Sequence, residues 1–220
     1  MVNKIRNGVV WVRTPKCATT TTAIHLQKFC EWKKMKYLPS DEHSSVPPPK
    51  YMNLGHVWAG NVNWNTIKRT DMGSMASIRN PLDRFISHYK HHTIQEGRFG
   101  QYGDDVSSFY LENYSNTHFE NYFRGMDNYI ANYLDVITKE KLDVELLKER
   151  YDFFFVADDI NKSLMKFERL TGYTFDNKDI RENVTQNTNL IITDEFIEKF
   201  KENNEIDYQL YEYVITEYGY

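Results

Sequence analysis

Apolar positions along the chain keep switching between short runs and helical spacing, and each switch marks an element. Gly8 to Arg13 (GVVWVR) is a short β-branched apolar run bounded by Gly8 and Pro15, which reads as a buried strand. After a Thr-rich stretch, Ala23, Leu26, Cys30 and Lys33 fall on a helical step, with Ile24 and Phe29 widening the apolar face. Strand, short loop and helix are therefore expected over residues 8–36. A Pro-rich linker, Val46 to Lys50, is extended by its three consecutive prolines. A strand and its exit are expected over Tyr51 to Ala59, then a small helix near Trp64 to Arg69. Ser74 to Arg79 reads as a strand running into Asn80-Pro81, an N-cap followed by a first-turn proline, with Asp83 in the same turn. Leu82, Phe85, Ile86 and Tyr89 give that helix one inward face.

Gly97 to Asp105 is a polar, Gly-containing loop suited to a lid, and residues 97–135 together form a candidate acceptor-side insertion. Helices are expected over Val106 to Tyr114, His118 to Leu134 and Val144 to Arg150. Phe153 to Ala157 (FFFVA) is a second fully apolar strand, and Ile160, Leu164, Phe167 and Thr171 mark a helix ending at Gly172. Two amphipathic helices, about 193–202 and 205–218, close the chain. Strands alternating with helices predict an α/β fold with a mainly parallel sheet and right-handed crossovers. In such sheets ligands gather at the carboxyl ends of the strands.

Length and charge sharpen this picture. The chain has 220 residues, 27 basic and 31 acidic, and suits a single domain with an ample core. A net charge of −4 gives no global basic field to recruit nucleic acid or anionic lipid, so any bound anion needs a local site. Cys17 and Cys30 are too few for a disulfide scaffold. No apolar run approaches the roughly 20 residues of a membrane helix. The N-terminus lacks a signal-peptide pattern. A soluble cytoplasmic protein without a membrane anchor is expected.

The most informative stretch is Arg13-Thr-Pro-Lys-Cys-Ala-Thr-Thr-Thr-Thr22. It joins a buried strand to a helix N-terminus, where backbone N–H groups and the helix dipole favour an anion. Lys16 adds a point charge, and Thr19, Thr20 and Thr21 add hydroxyl donors. A Thr-rich cap with a solvated lysine is the plainer alternative. The loop lacks both glycines of the nucleotide-binding motif G-x-x-x-x-G-K-[ST], which weighs against a kinase-like phosphotransferase. The second stretch is Ser77-Ile-Arg-Asn-Pro-Leu-Asp-Arg-Phe-Ile-Ser-His-Tyr89. Arg79 stands at a strand end before a capped helix, where its fork can grip a phosphate bidentately. Ser87, two turns on, can reach the same side. Arg84 is expected to point outward, with a surface salt bridge as its alternative role.

The order Pro-Lys-x-x-Thr-Thr-Thr resembles the 5′-phosphosulfate loop of sulfotransferases, which share a P-loop-like core. The second stretch resembles their 3′-phosphate signature R-x-P-x-x-R-x-x-S-x-Y at Arg79, Pro81, Arg84, Ser87 and Tyr89. The resemblance is to enzymes using 3′-phosphoadenosine 5′-phosphosulfate (PAPS), nearest to the carbohydrate sulfotransferases related to the heparan 2-O enzymes. It implies that Pro15, Lys16, Cys17, Ala18, Thr19, Thr20 and Thr21 hold the 5′ side of the donor, and Arg79 with Ser87 the 3′-phosphate. It further implies sulfonate transfer to an acceptor hydroxyl or amine, PAP as product, and no metal. The resemblance makes Lys16 the candidate catalytic cation. His56, in Leu54-Gly-His-Val57, resembles the Gly-His position that supplies the base; a histidine bonded at a strand end is the alternative. Arg181 and Asn183 resemble a late loop near the 3′-phosphate, or form a surface turn. Tyr110, Tyr114, Phe119, Tyr122, Phe123, Tyr129 and Tyr133 either line an acceptor pocket or pack in the core. His88 and His92 share a helix face, without a third ligand at recognisable spacing. The acceptor expected is a small molecule or saccharide, since a mildly acidic chain suits a long polyanion poorly. A sulfotransferase-like module that binds nucleotide or glycan without turnover is the non-enzymatic alternative.

Overall fold

The computed structural model describes residues 2–38, 51–53, 59–90, 110–111, 127–176 and 191–220. Among them, five strands form an all-parallel sheet in the order β2 (Lys36–Leu38), β3 (Tyr51–Asn53), β1 (Val9–Val12), β4 (Gly73–Ile78), β8 (Phe153–Val156). The helices are α1 (Val2–Asn7), α2 (Thr19–Lys33), α3 (Trp64–Thr70), α4 (Pro81–Lys90) and α5 (Tyr129–Tyr133). They continue with α6 (Val144–Arg150), α7 (Ile160–Thr171), α8 (Asp194–Asn203) and α9 (Glu205–Glu217). The expected α/β class with a parallel central sheet is what the chain adopts.

The central strands are buried on both faces because the alternation of their side chains feeds two cores. Val9, Trp11, Phe153 and Phe155 turn toward Leu26 and Phe29 of α2 and Phe167 of α7. Val12, Ala76, Phe154 and Val156 turn the other way, toward Ile130 and Leu134, Leu147 of α6, and Leu210 and Val214 of α9. Burying the Trp11 indole N–H without a partner would be costly, and it donates to Ser77 Oγ at 3.0 Å, pinning β1 to β4. Gly73 lets α1 approach β4, since a Cβ there would lie 3.1 Å from Ile5 Cγ1.

Local signals in the sequence account for several helix starts and for the end of α7. Asn80 Oδ1 accepts from Leu82 N and Asp83 N at 3.1 and 3.3 Å, and Pro81 opens α4. Asn63, Asp143, Asp159 and Thr193 cap α3, α6, α7 and α8 with side-chain acceptors. Gly172 ends α7 in the left-handed region at φ 73°.

The structure departs from the expected pattern in several places. Tyr110–Leu111, expected within a helix, are a short strand β5 paired in parallel with β9 (Ile191–Ile192). An aromatic and a leucine fit either state, and pairing with a distant β-branched partner decides for strand. α5 begins only at Tyr129, because Asn128 has φ 50° and cannot continue a helix from upstream. Pattern reading also missed α1, β2 and the hairpin β6–β7 (Ile137–Thr138, Lys141–Leu142). That hairpin turns through Lys139 and Glu140, both at positive φ without a glycine to signal the turn. The loop at 97–105 lies outside the described residues.

One core residue carries a pH dependence. His25 of α2 is fully buried, packs edge-on against Phe175 at 5.1 Å, and has no hydrogen-bond partner at either ring nitrogen. Burial, with Lys28 adding to it, lowers its pKa below 6.5. The folded state therefore binds fewer protons than the unfolded chain, and this site's stabilisation is whole above pH 6.5 and lost as pH falls through 6.5 toward the folded pKa. Replacing His25 by Leu is expected to raise stability by about 1 kcal/mol or more, by removing unsatisfied polar atoms. The gap between variant and wild type should widen from pH 7.5 to pH 5.5 in denaturant melts. A gap that stays constant with pH would show that His25 does not titrate in this range.

Candidate functional site

Because β1, β4 and β8 run parallel, their carboxyl ends open onto one edge of the sheet, the edge where such folds hold ligands. Three connections leave from it: residues 13–18 after β1, Arg79-Asn80 after β4, and the turn Ala157–Asp159 after β8.

The first connection winds tightly. Cys17 N donates to Thr14 O at 3.3 Å, and Thr22 N and Oγ1 both donate to Ala18 O at 3.0 Å. Lys16 and Ala18 have φ 66° and 52° while Cys17 between them does not have positive φ. Such sign changes turn successive peptides into a concavity of the kind that binds anions. Each left-handed non-glycine residue costs about 1–2 kcal/mol, so the loop holds strain at the edge where a ligand would sit. Ala18 at the N-cap of α2, a fifteen-residue helix, offers no side-chain acceptor to its first turn. Thr14 Oγ1 is fully buried and has no hydrogen-bond partner. Thr19 and Thr21 are buried; Pro15, Lys16, Ala18 and Thr20 are half-buried. Cys17 is wholly buried, and burial pushes its thiol up to about 12 against the pull of Arg84 and Arg79. The group is a packed, inert thiol at neutral pH.

The second connection reaches back to the first. Arg79 Nη1 donates to Lys16 O at 3.4 Å, while its Nε lies 3.7 Å from Asp158 Oδ1 at the end of β8. Asp158 Oδ2 also accepts from Asn80 N at 2.7 Å, so one carboxylate braces the arginine and the entrance of α4 together. The Arg79 side chain is about 30% exposed.

Arg84 differs from expectation most. It is not on the surface: its exposure is 2%, its Nε donates to Pro15 O at 3.4 Å, and its guanidinium lies 3.6 Å from the Tyr129 ring centroid. The face of α4 carrying Arg84, Ser87 and His88 is buried as well as the face carrying Phe85 and Tyr89. An (i, i+3, i+4) spacing from Arg84 puts Ser87 and His88 beside it. Asp207 of α9 lies near the same arginine. It is 2% exposed and accepts from Ala131 N at 2.7 Å and Ile130 N at 2.9 Å, capping α5. Burial pushes its carboxyl up to about 6, and the two amides and Arg84 pull it back. Its contribution to stability is thus whole below about 3.8 and lost as pH rises through about 6, opposite in sense to that of His25. A His25 variant compared with wild type cancels it.

The chain matches the model of the sulfotransferase family over residues 2–214. It belongs to the sulfotransferase family. No curated protein sequence matches it.

In this sulfotransferase, the two motifs quoted from the sequence meet through backbone and guanidinium, with Pro15 to Thr21 on one side and Arg79, Arg84 and Ser87 on the other. Tyr129 and Tyr133 are half-buried and stack at 5.8 Å, and Tyr129 carries the Arg84 guanidinium. His56, Arg181, Asn183 and His92 lie outside the described residues, as do Tyr114, Phe119, Tyr122 and Phe123. Among the described residues, no group of three His, Cys, Asp or Glu is placed to hold a metal ion, and no helix is long and apolar enough to cross a membrane. Sequence reading missed Asp158, Tyr129 as a shelf for Arg84, and Asp207. Asp158 stood at the end of the FFFVA strand, where a carboxylate after an apolar run is a signal. Nothing local marked Asp207.

Proposed function

We propose that this sulfotransferase takes its sulfonate group from PAPS and delivers it in line to an acceptor hydroxyl. The carrying observation is the bond from Arg79 Nη1 to Lys16 O, which brings to one sheet edge two residues 63 apart, each in a stretch suited by its chemistry to an anion. A donor with phosphate at both ends of its nucleoside needs two such stretches, whereas an ordinary nucleoside triphosphate needs only one. The sign-changing loop, the helix start without a side-chain cap and the orphaned Thr14 hydroxyl fit a phosphosulfate.

In this reading the residues have distinct tasks. The backbone around Cys17 to Thr21 and the hydroxyls of Thr19, Thr20 and Thr21 hold the 5′-phosphate. Arg79 and Ser87 grip the 3′-phosphate. Lys16 neutralises charge that builds on the leaving phosphate oxygen as its bond to sulfur breaks. His56 takes the acceptor proton as the new sulfur–oxygen bond forms. Positioning and electrostatics then supply the catalysis, as in phosphoryl transfer, with no metal called for. A net charge of −4 favours a small or weakly charged acceptor, such as a saccharide, over a long polyanion.

The test is transfer from labelled PAPS across sugars, phenols, lipids and peptides. Label is expected in one hydroxyl-bearing class. Tight PAP binding without transfer to any class would instead favour a non-catalytic nucleotide-binding module.

A further inference from the structure

We infer that Arg84 is a positioning residue that fixes the backbone of Lys16 from beneath the loop; the inference rests on the donor reading above. Lys16 adopts a left-handed conformation, φ 66°, which a side-chain-bearing residue keeps only when its surroundings hold it there. The two peptide planes flanking its Cα are both held by arginines of the second motif. Arg84 Nε donates to Pro15 O at 3.4 Å, and Arg79 Nη1 donates to Lys16 O at 3.4 Å. Holding one carbonyl on each side sets both dihedrals of Lys16, and thereby the direction in which its ammonium leaves the loop.

Arg84 is built for this task and poorly built for direct contact with a ligand. It is 2% exposed, whereas Arg79 keeps about 30% of its side chain open. One face of its guanidinium rests on Tyr129 at 3.6 Å, and Asp207, which caps the helix carrying Tyr129, balances its charge from below. A buried arginine is costly unless its surroundings compensate it, and here each compensating group comes from a different element. Lysine could not replace it, because a single ammonium has no rigid fork to rest flat on a ring while donating sideways.

The test is a binding cycle with PAP and with adenosine 5′-phosphate, read by calorimetry on wild type, Arg84→Met, Lys16→Ala and the double variant. Arg84→Met is expected to weaken PAP about tenfold or more, with the same loss for adenosine 5′-phosphate. In the Lys16→Ala background the same change should cost less than threefold, because a residue acting through Lys16 loses its effect with it. Arg84→Lys should behave like Arg84→Met, and it serves in its place if the Met variant does not fold. Additive losses in the double variant would overturn the inference. So would a loss confined to PAP, which would make Arg84 a direct ligand of the 3′-phosphate. Wild type that fails to bind PAP at all would overturn the donor reading instead.

Discussion

Lys16→Ala should reduce kcat by about a hundredfold to a thousandfold, the usual cost of removing one preorganised group facing developing charge. The fold should survive. Lys16 is half-buried, and its bond to Arg79 is made by its carbonyl, which alanine keeps. A change of about 0.5 kcal/mol or less is expected in a denaturant melt, as for other substitutions outside the core. Lys16→Gly is a useful companion, since glycine takes φ 66° without steric cost. If both variants lose turnover alike, the ammonium and not the backbone strain is what catalysis needs. Turnover near the wild-type rate in Lys16→Ala would remove the residue from the chemistry.

Arg79→Gln should weaken PAP by about a hundredfold, because a charge-assisted, bidentate grip on a phosphate is among the strongest polar contacts a side chain makes. Adenosine 5′-phosphate, lacking the 3′-phosphate, should lose less than tenfold, through the slackened bond to Lys16 O. Asp158 would then be without its arginine but would still accept from Asn80 N, so melting should change little. Equal losses for the two nucleotides would mean that Arg79 acts on the loop alone.

Much of this site could be read in the sequence because its signals are local. A strand ending in Arg13 and a helix opening with threonines locate the first loop. Asn80-Pro81 locates the start of α4, and with it the register that brings Arg79 to the sheet edge. The absence of glycines in residues 13–18 argued for a loop unlike a nucleotide-binding one, yet Lys16 and Ala18 still adopt positive φ. Composition therefore described the loop's residues without disclosing its strain. Arg84 was misread because its place is decided by α5 and α9, which reach it from 45 and 123 residues away at Tyr129 and Asp207. Long-range capping of this kind, such as Asn128 Oδ1 accepting from Ile206 N while Asn128 N donates to Asn204 Oδ1, leaves no trace in hydrophobic periodicity. Tyr110–Leu111 was misassigned for the same reason, since its strand partner is Ile191–Ile192.

The most direct measurement of the central claim is a calorimetric titration of the wild-type chain with PAP, beside ATP and GTP. The account predicts saturable binding of PAP with one site per chain, and binding at least a hundredfold weaker for the two triphosphates. ATP binding more tightly than PAP would contradict it.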